Sequence, residues 1–488
     1  MQIHRDDTVL VALKSFKKNE IIEGVSLLQD IPAGHKIARA DIAEGEHVIK
    51  YGASIGRARS AIKCGEHIHS HNLKTGLGTD ETYTYAGAPE QQERETKVPQ
   101  ILAFERANGD IGIRNDLWIV PLVGCVNGVA QAVARQFERS EELPEGTQVT
   151  VLAHPFGCSQ LGDDHVNTRT ILQNLVMHPN AGGVLVMGLG CENNTLTEFL
   201  ENLEMSDQSR LRCMVAQETE NEFETAYRHL QDLAGILSSD KRVPVGVDRL
   251  RIGLKCGGSD GFSGITANPL LGALSDWLCS RGGATVLTEV PEMFGAERIL
   301  MKRAENQSVF ADIVSLINDF KQYYIDHDQP IYENPSPGNK EGGITTLEEK
   351  SLGCTQKAGT SIITDVLRYQ DRLSKNGLNL LEAPGNDGTA ITSLAAAGCH
   401  MVLFTTGRGN PLGTVVPTVK VASNTELADR KKHWIDFSAG TLIHDDTSLD
   451  ELCTDFADYL MQVASGKQTL NEINRMQEIV IFKTGVTL

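Results

Sequence analysis

Apolar residues in the first part of this chain come as short runs broken by turn residues, and further on as longer runs alternating with amphipathic stretches. Thr8 to Leu13 is a brief apolar run. The turns Ile31-Pro-Ala-Gly34, Ile42-Ala-Glu-Gly45 and Ile62-Lys-Cys-Gly65 each lead into a strand-like stretch such as Glu46-His-Val-Ile-Lys50. Short strands punctuated by glycine turns predict a small, compact all-β domain over residues 1–72. Residues 73–97 then become polar and rich in Gly, Thr and Glu around Ala88-Pro89-Glu90, which predicts a linker.

Between residues 98 and 245 the strand candidates Leu117–Val123, Val149–Ala153, Gly183–Met187 and Arg212–Ala216 alternate with helical stretches. One helix is expected to be capped by Asp163 or Asp164, to run through Thr170–Met177 and to stop at His178-Pro179. A second alternation occupies residues 246–488, with strands near Arg251–Leu254, Ala284–Thr288 and Met401–Thr406. The predicted class is α/β, a small N-terminal all-β domain followed by two α/β domains with mostly parallel sheets and right-handed crossovers.

Three strands run into a Gly-Cys pair followed two residues later by an amide: Gly124-Cys125-Val126-Asn127, Gly157-Cys158-Ser159-Gln160 and Gly190-Cys191-Glu192-Asn193. The cysteines are 33 residues apart, twice, and Cys256 follows 65 residues later at the end of another apolar run. A period of 33 also suits ankyrin repeats, but those need helix pairs and these runs are strand-like. In an open parallel sheet, residues just past successive strands gather at one edge, where such sheets bind ligands. All four thiols are therefore expected in one pocket.

Composition narrows the function. At 488 residues the chain suits about three domains. A net charge of −19 repels nucleic acid and anionic membrane surfaces, so the expected partner is a small molecule, with no nucleic acid and no membrane. The start lacks the apolar stretch of a signal peptide and no apolar run reaches the length of a membrane span, so the expected location is cytoplasmic. Ten cysteines without a CxxC pair read as thiols available to a metal rather than as a disulfide framework. The number of subunits is left open, a homo-oligomer included.

The chemistry-bearing candidates follow. Thiolates ligate zinc, iron and iron–sulfur centres, and three protein ligands with one open position leave room for a substrate oxygen. Cys125, Cys158, Cys191 and Cys256 are candidates, whereas Cys213 and Cys399 lie in apolar stretches and read as core. His67, His69 and His71 alternate, so on a strand they face one way, either as a metal or carboxylate patch or as a solvated face. His154 and His165 stand singly beside a strand end and a helix start. Asn334-Pro-Ser-Pro-Gly-Asn-Lys-Glu-Gly-Gly343 is expected to be an ordered loop rather than helix, followed by a capping box at Thr345-Thr-Leu-Glu348, with Lys340 beside it to hold an anion. Gly407-Arg-Gly409-Asn-Pro-Leu-Gly413 resembles a dinucleotide loop, but Pro411 and Pro417 deny it the helix that would receive a pyrophosphate; it reads as a loop presenting Arg408 to an anion. Thr288-Glu289-Val-Pro-Glu292 ends a strand with two carboxylates suited to acid–base work or metal binding.

The run Cys256-Gly-Gly-Ser-Asp-Gly-Phe-Ser-Gly-Ile-Thr-Ala-Asn-Pro269, with Gly188-Leu-Gly-Cys-Glu192, Thr288 to Glu292, Asn334 to Gly343 and Thr406-Gly-Arg-Gly409, resembles the altronate/galactarate dehydratase family over essentially the whole chain. Residues 1–72 are similar to that family's SAF-type β-clip domain, and Gly65-Glu-His-Ile-His-Ser-His-Asn72 to its closing histidine motif. Gly157 through Thr170 looks like the altronate branch, while Asn410-Pro-Leu412 departs from the Thr-Pro-Tyr more usual there. The resemblance implies conversion of a small anionic sugar acid, D-altronate to 2-dehydro-3-deoxy-D-gluconate plus water, assisted by Fe2+; Mn2+ and, from the thiol set, an iron–sulfur cluster stay open as alternatives. Removing a proton α to a carboxylate calls for a cation clamp, a base at C2 and an acid or Lewis acid at the departing C3 hydroxyl. The expected metal set is Cys125, Cys158, Cys191, Cys256 and His154, with His69 and His71 closing over it. Lys340 and Arg408, with Asn339 and Arg169, are expected to hold the carboxylate, and His165 or Glu289 to act as base. The competing readings are a lyase on galactarate or sulfolactate and a non-catalytic iron or iron–sulfur protein.

Overall fold

The computed structural model describes residues 1–78, 82–90, 95–140, 143–201, 203–444 and 447–488. Of the predicted linker, residues 79–81 and 91–94 lie outside the described residues, and its first two residues, Leu73–Lys74, are a strand.

The N-terminal unit is all antiparallel. Val9–Val11, Lys36–Ala38 and His67–Ile68 form one small sheet; His47–Lys50, Ala53–Ala58 and Leu73–Lys74 form another; Ile21–Ile22 and Val25–Ser26 form a hairpin. The repeated glycine turns have a steric cause. Gly65 adopts φ +87°, and a Cβ there would lie 2.0 Å from the Ser26 carbonyl oxygen. Two inward lysines dock this unit on the rest of the chain. Lys36 Nζ and Lys50 Nζ each lie 2.8 Å from one oxygen of Glu349, and all three side chains are buried. Lys36 also donates to the Gly343 carbonyl and to Thr345 Oγ1.

The second unit is a four-stranded parallel sheet in the order Val149–Val151, Asp116–Pro121, Ala181–Gly188, Leu211–Val215. Asp116–Pro121 and Ala181–Gly188 are buried throughout, as a sheet covered on both faces requires. On one face, Asn127–Ser140 turns Ala130, Val133, Ala134 and Phe137 inward against Ala226, Leu230, Leu233 and Leu237 of Glu222–Leu237. On the other, Gly162–Val176 packs into a layer shared with the third unit, where Ile171, Leu175 and Trp118 share one core with Ile391, Leu394 and Phe404. The predicted aspartate cap does not form. Leu161 precedes that helix, and buried Asp164 instead accepts the amides of Thr484 and Gly485 from the chain's end.

The third unit is a seven-stranded parallel sheet: Ile363–Leu367, Gly377–Leu381, Ala284–Leu287, Arg251–Cys256, Met401–Thr406, Thr418–Ala422, Phe437–Ser438. From Arg251–Cys256 the chain builds strands to one side and then returns at Met401–Thr406 on the other, so the topological switch point lies between those two strands. Cys256 stands at its carboxyl end. An antiparallel crosspiece of Ile111–Gly112, Gln100–Glu105 and Val243–Gly246 joins the two α/β units. Residues 480–488 strap back over both, with Val480 N on Thr392 Oγ1 and Leu488 N on the Ser159 carbonyl. Among the described residues no helix is long and apolar enough to cross a membrane.

Two buried charges make the packing testable. Burial pushes the Asp116 carboxyl up to about 7 although the Gln148 amide donates to it. A raised carboxyl stabilises the fold below the unfolded-state value and loses that contribution as pH rises through about 7. Asp116→Asn is therefore expected to stabilise the fold at pH 8 by on the order of a few kcal/mol at most, seen as a higher melting temperature, and to change little at pH 4. Thermal melts at the two pH values check this. Glu349→Gln leaves two buried ammonium groups unpaired and is expected to cost about 3–5 kcal/mol. Lys17→Ala, which breaks a fully exposed pair with Asp30, is expected to leave stability nearly unchanged when both variants are compared with the parent by denaturant titration.

Candidate active site

The carboxyl edge of the seven-stranded sheet collects the densest chemistry in the molecule. Cys256 ends its strand, and the turn Val290–Met293 follows Ala284–Leu287 and delivers Glu292. Helix Leu347–Cys354 delivers Lys350 and Cys354 from the docking side. Cys256 Sγ and Cys354 Sγ are 3.3 Å apart, and Glu292 Oε2 lies 3.2 and 3.0 Å from them. Among the described residues this is the one group of three or more His, Cys, Asp or Glu ligand atoms lying within 4.8 Å of one another.

A lattice of buried charges surrounds it. Glu289, with a left-handed φ of 71°, receives Lys255 Nζ on one oxygen and Lys357 Nζ on the other, the latter at 2.7 Å, and the Cys256 amide at 3.0 Å. Lys255 also meets Asp387 at 2.8 Å, and Lys350 meets Glu292 Oε1 at 2.8 Å. Burial alone would raise the Glu292 carboxyl, but Lys350, Lys255 and Lys357 outweigh it and hold the group well below the usual carboxylate range. The hydrogen bond with Cys256, with burial, pushes the Cys354 thiol well up. Three ammonium groups thus balance three carboxylates. A divalent ion that displaces two thiol protons leaves that balance unchanged, and soft sulfur with one carboxylate suits iron or zinc. The donor set fits such an ion.

Three predicted loops converge on the same edge. Asn334–Gly343 is not the helix-free loop expected: Pro337–Glu341 forms a short helix capped reciprocally by Ser336 and Asn339, because proline in a first helical turn gives up only an amide that has no partner anyway. The following cap is Thr346 with Glu349, one residue beyond the expected Thr345–Glu348 pair. Asn339 donates to the Ser259 carbonyl and accepts from Lys350, linking this helix to the thiol group. Arg408 meets Glu341 at 2.9 Å while its amide bonds Gly258, two residues past Cys256. Lys340 is half-buried, and its carbonyl accepts from His69 Nε2. Arg408 lines a cleft of about 560 Å3 with Lys14, Asp260, Asn424, Arg430 and His444.

The histidines differ from expectation. Only His67–Ile68 is strand, yet the rings of His67, His69 and His71 still cluster, joined by His35, which sequence reasoning missed. His69 spends one nitrogen on Lys340 O and the other on Ser70 Oγ, and His71 is exposed, so neither is presented as a ligand. His35 Nε2 faces the Glu341 carbonyl and therefore donates; its Nδ1, 2.9 Å from His67 Nε2, accepts. This fixes the His67 tautomer with Nδ1 as the acceptor. Burial, with His35 and His69, pushes His67 down to about 3, and the ring is neutral.

The remaining candidates lie elsewhere. Cys125, Cys158 and Cys191 are exposed at the edge of the four-stranded sheet, so Cys256 does not share their pocket; it belongs to another sheet. His154 is buried with both ring nitrogens engaged, Nε2 on the Pro121 carbonyl and Nδ1 under the Phe156 amide, and it braces two strand ends rather than offering a ligand. His165 and Arg169, one turn apart, both meet Glu198 beside the cysteine edge. Cys354, Lys350, Lys357 and Lys255 escaped the sequence reading. Glu348-Glu349-Lys350 followed by Cys354 at helical spacing was the available signal.

Comparison with known proteins agrees with this architecture. Residues 1–76 match the altronate/galactarate dehydratase SAF domain, residues 103–238 the D-galactarate dehydratase/altronate hydrolase second domain, and residues 247–487 the D-galactarate/altronate dehydratase C-terminal domain. The chain is 53% identical to the altronate dehydratase of Escherichia coli (strain K12) and 54% to that of Bacillus subtilis (strain 168), in each case over 100% of this chain and 99% of the relative. It is 33% identical to the galactarate dehydratase (L-threo-forming) of Escherichia coli (strain K12), over 91% of this chain and 88% of that one. The chain belongs to the altronate/galactarate dehydratase family.

Proposed function

We propose that this protein is a hydro-lyase that dehydrates altronate to 2-dehydro-3-deoxy-gluconate in hexuronate catabolism, at the carboxyl edge of its seven-stranded sheet, with ferrous iron held by Cys256, Cys354 and Glu292. The observation that carries the reading is the buried thiol–carboxylate group at the switch point, tied through Lys350 and Asn339 to the short helix whose Lys340 and Glu341 meet the histidines and Arg408. Full-length identity above half to two altronate dehydratases supports altronate over galactarate. Ten free thiols support a cytoplasmic, reducing location.

Bound iron supplies a Lewis acid for the departing hydroxyl. The chain's own groups do the rest. Arg408, with Lys340, pairs with the substrate carboxylate and stabilises charge that builds there as the neighbouring C–H is broken. Both Glu289 oxygens are occupied by ammonium groups, which makes it an orienting anion rather than the base expected from the sequence. His67 takes the C2 proton at Nδ1, held in tautomer by His35 and the Glu341 carbonyl. Lys350 keeps Glu292 ionised and aligned.

Two experiments separate these roles. An anaerobic iron titration of the full chain with altronate should give 2-keto product in proportion to bound iron; Cys354→Ser and Cys256→Ala should lower iron affinity at least about 10-fold. Iron-independent product formation sinks the reading. His67→Gln should lower kcat by about 10²–10⁴-fold while iron stoichiometry stays unchanged. A rate within twofold of the parent removes His67 from the chemistry.

A further inference from the structure

Cys125, Cys158 and Cys191 take no part in the site above, yet they are the three of the ten cysteines that are exposed, against the usual burial of a free thiol. They follow three strands that are direct neighbours in the sheet, Asp116–Pro121, Val149–Val151 and Ala181–Gly188. Neighbouring strands lie about 4.8 Å apart, so the three tips span about 10 Å. The edge is itself a switch point. The chain leaves Asp116–Pro121 to pair on one side and returns to pair on the other, with the intervening helices on opposite faces.

The three loops are locked together. Gly124 N bonds the Phe156 carbonyl, Asn127 Nδ2 the His154 carbonyl, Asn194 N the Gly157 carbonyl, and Ser159 N meets Asn193 Oδ1 at 2.9 Å. A Cβ at Gly157 would lie 2.0 Å from the Leu122 carbonyl oxygen, so only glycine permits this approach beside Cys158. Ser159 holds φ +60°, a conformation a non-glycine keeps only when its surroundings impose it. Two of the sulfurs already have donors: Ser159 Oγ is 3.8 Å from Cys158 Sγ and Gln217 Nε2 is 3.7 Å from Cys191 Sγ. Hydrogen bonds to cysteine sulfur are one of the means by which a protein tunes an iron–sulfur centre.

Ligand atoms spaced for a single ion occur, among the described residues, only at Cys256, Glu292 and Cys354. Three thiols set around a wider edge suit a polynuclear centre. We propose that Cys125, Cys158 and Cys191 hold a [4Fe–4S] cluster through three thiolates, leaving one iron without a cysteine ligand. Each thiol releases its proton to solvent on ligation. His165 and Arg169, beside this edge, belong to the cluster's surroundings rather than to the Cys256 centre.

The test is anaerobic reconstitution of the full-length protein with ferrous iron and sulfide, followed by iron and acid-labile sulfide assays, visible absorption and EPR after dithionite reduction. About four irons and four sulfides per chain are expected beyond any mononuclear iron. C125S/C158S/C191S should melt as the parent does in iron-free buffer yet lose the sulfide and the visible absorption. C354S should keep both while losing product formation, so this inference and the proposed function can fail separately. If the triple variant melts early, C158S alone decides: sulfide below half the parent value supports the cluster, and unchanged sulfide overturns it. Iron without bound sulfide in the parent also overturns it.

Discussion

The site depends on one buried contact, the carboxylate of Glu349 between the ammonium groups of Lys36 and Lys50. Burial would raise that carboxyl, but the two lysines hold it near 2, so it is ionised wherever the protein folds. An ion group of this kind adds little net stability over apolar packing, yet it is costly to break, and so it fixes position more than it adds strength. What it fixes is helix Leu347–Cys354. Glu348 reaches back to Thr75 and Gly76, Lys350 turns to Glu292, Cys354 to Cys256, and just beyond the helix Lys357 turns to Glu289. The β unit is therefore the structural partner of the thiol group, although it contributes no sulfur to it.

Charge balance decides what that group can bind. Three ammonium groups packed away from water beside Glu289 and Glu292 are tolerable only because half-buried Asp387 completes a neutral set, since an unpaired charge there would cost several kcal/mol. Adding a dication to a neutral cavity would break the rule, but exchanging it for two thiol protons keeps it. Cys256 and Cys354 thus serve both as ligands and as the source of compensating protons. The same constraint explains why Glu289 cannot double as a base: taking up a proton would leave Lys255 and Lys357 sharing one fewer anion.

Much of the fold was legible because parallel strands buried on both faces announce themselves as apolar runs. Leu117–Val123, Gly183–Met187 and Met401–Thr406 were placed within two residues of the strands observed. Strands with polar interruptions, such as Ile363–Leu367 with Thr364 and Asp365, carry no such signature. The loop bearing Arg408 was also legible, since glycine and proline there forbid regular structure, whereas Asn339, expected in a loop, sits in the short helix Pro337–Glu341. The lysines were not. A buried Lys looks like a surface Lys until its carboxylate partner, often tens or hundreds of residues away, is known; Lys50 and Glu349 are 299 positions apart. Cys256 was misplaced for a related reason, because its spacing nearly continues the 33-residue period while the chain has already begun a second sheet.

The two sheets solve one problem in opposite electrostatic settings. Each has a switch point whose strand tips carry sulfur, as open parallel sheets place ligands at that edge. At Cys256 the thiols are buried among compensated charges, which favours a single small dication that fits without disturbing the balance. At Cys125, Cys158 and Cys191 the thiols face solvent, and water compensates whatever charge a larger centre carries, so ordering the loops becomes the main requirement. The glycine contacts and shared amide bonds meet it before any ligand arrives. Burial, more than ligand type, therefore separates the two centres.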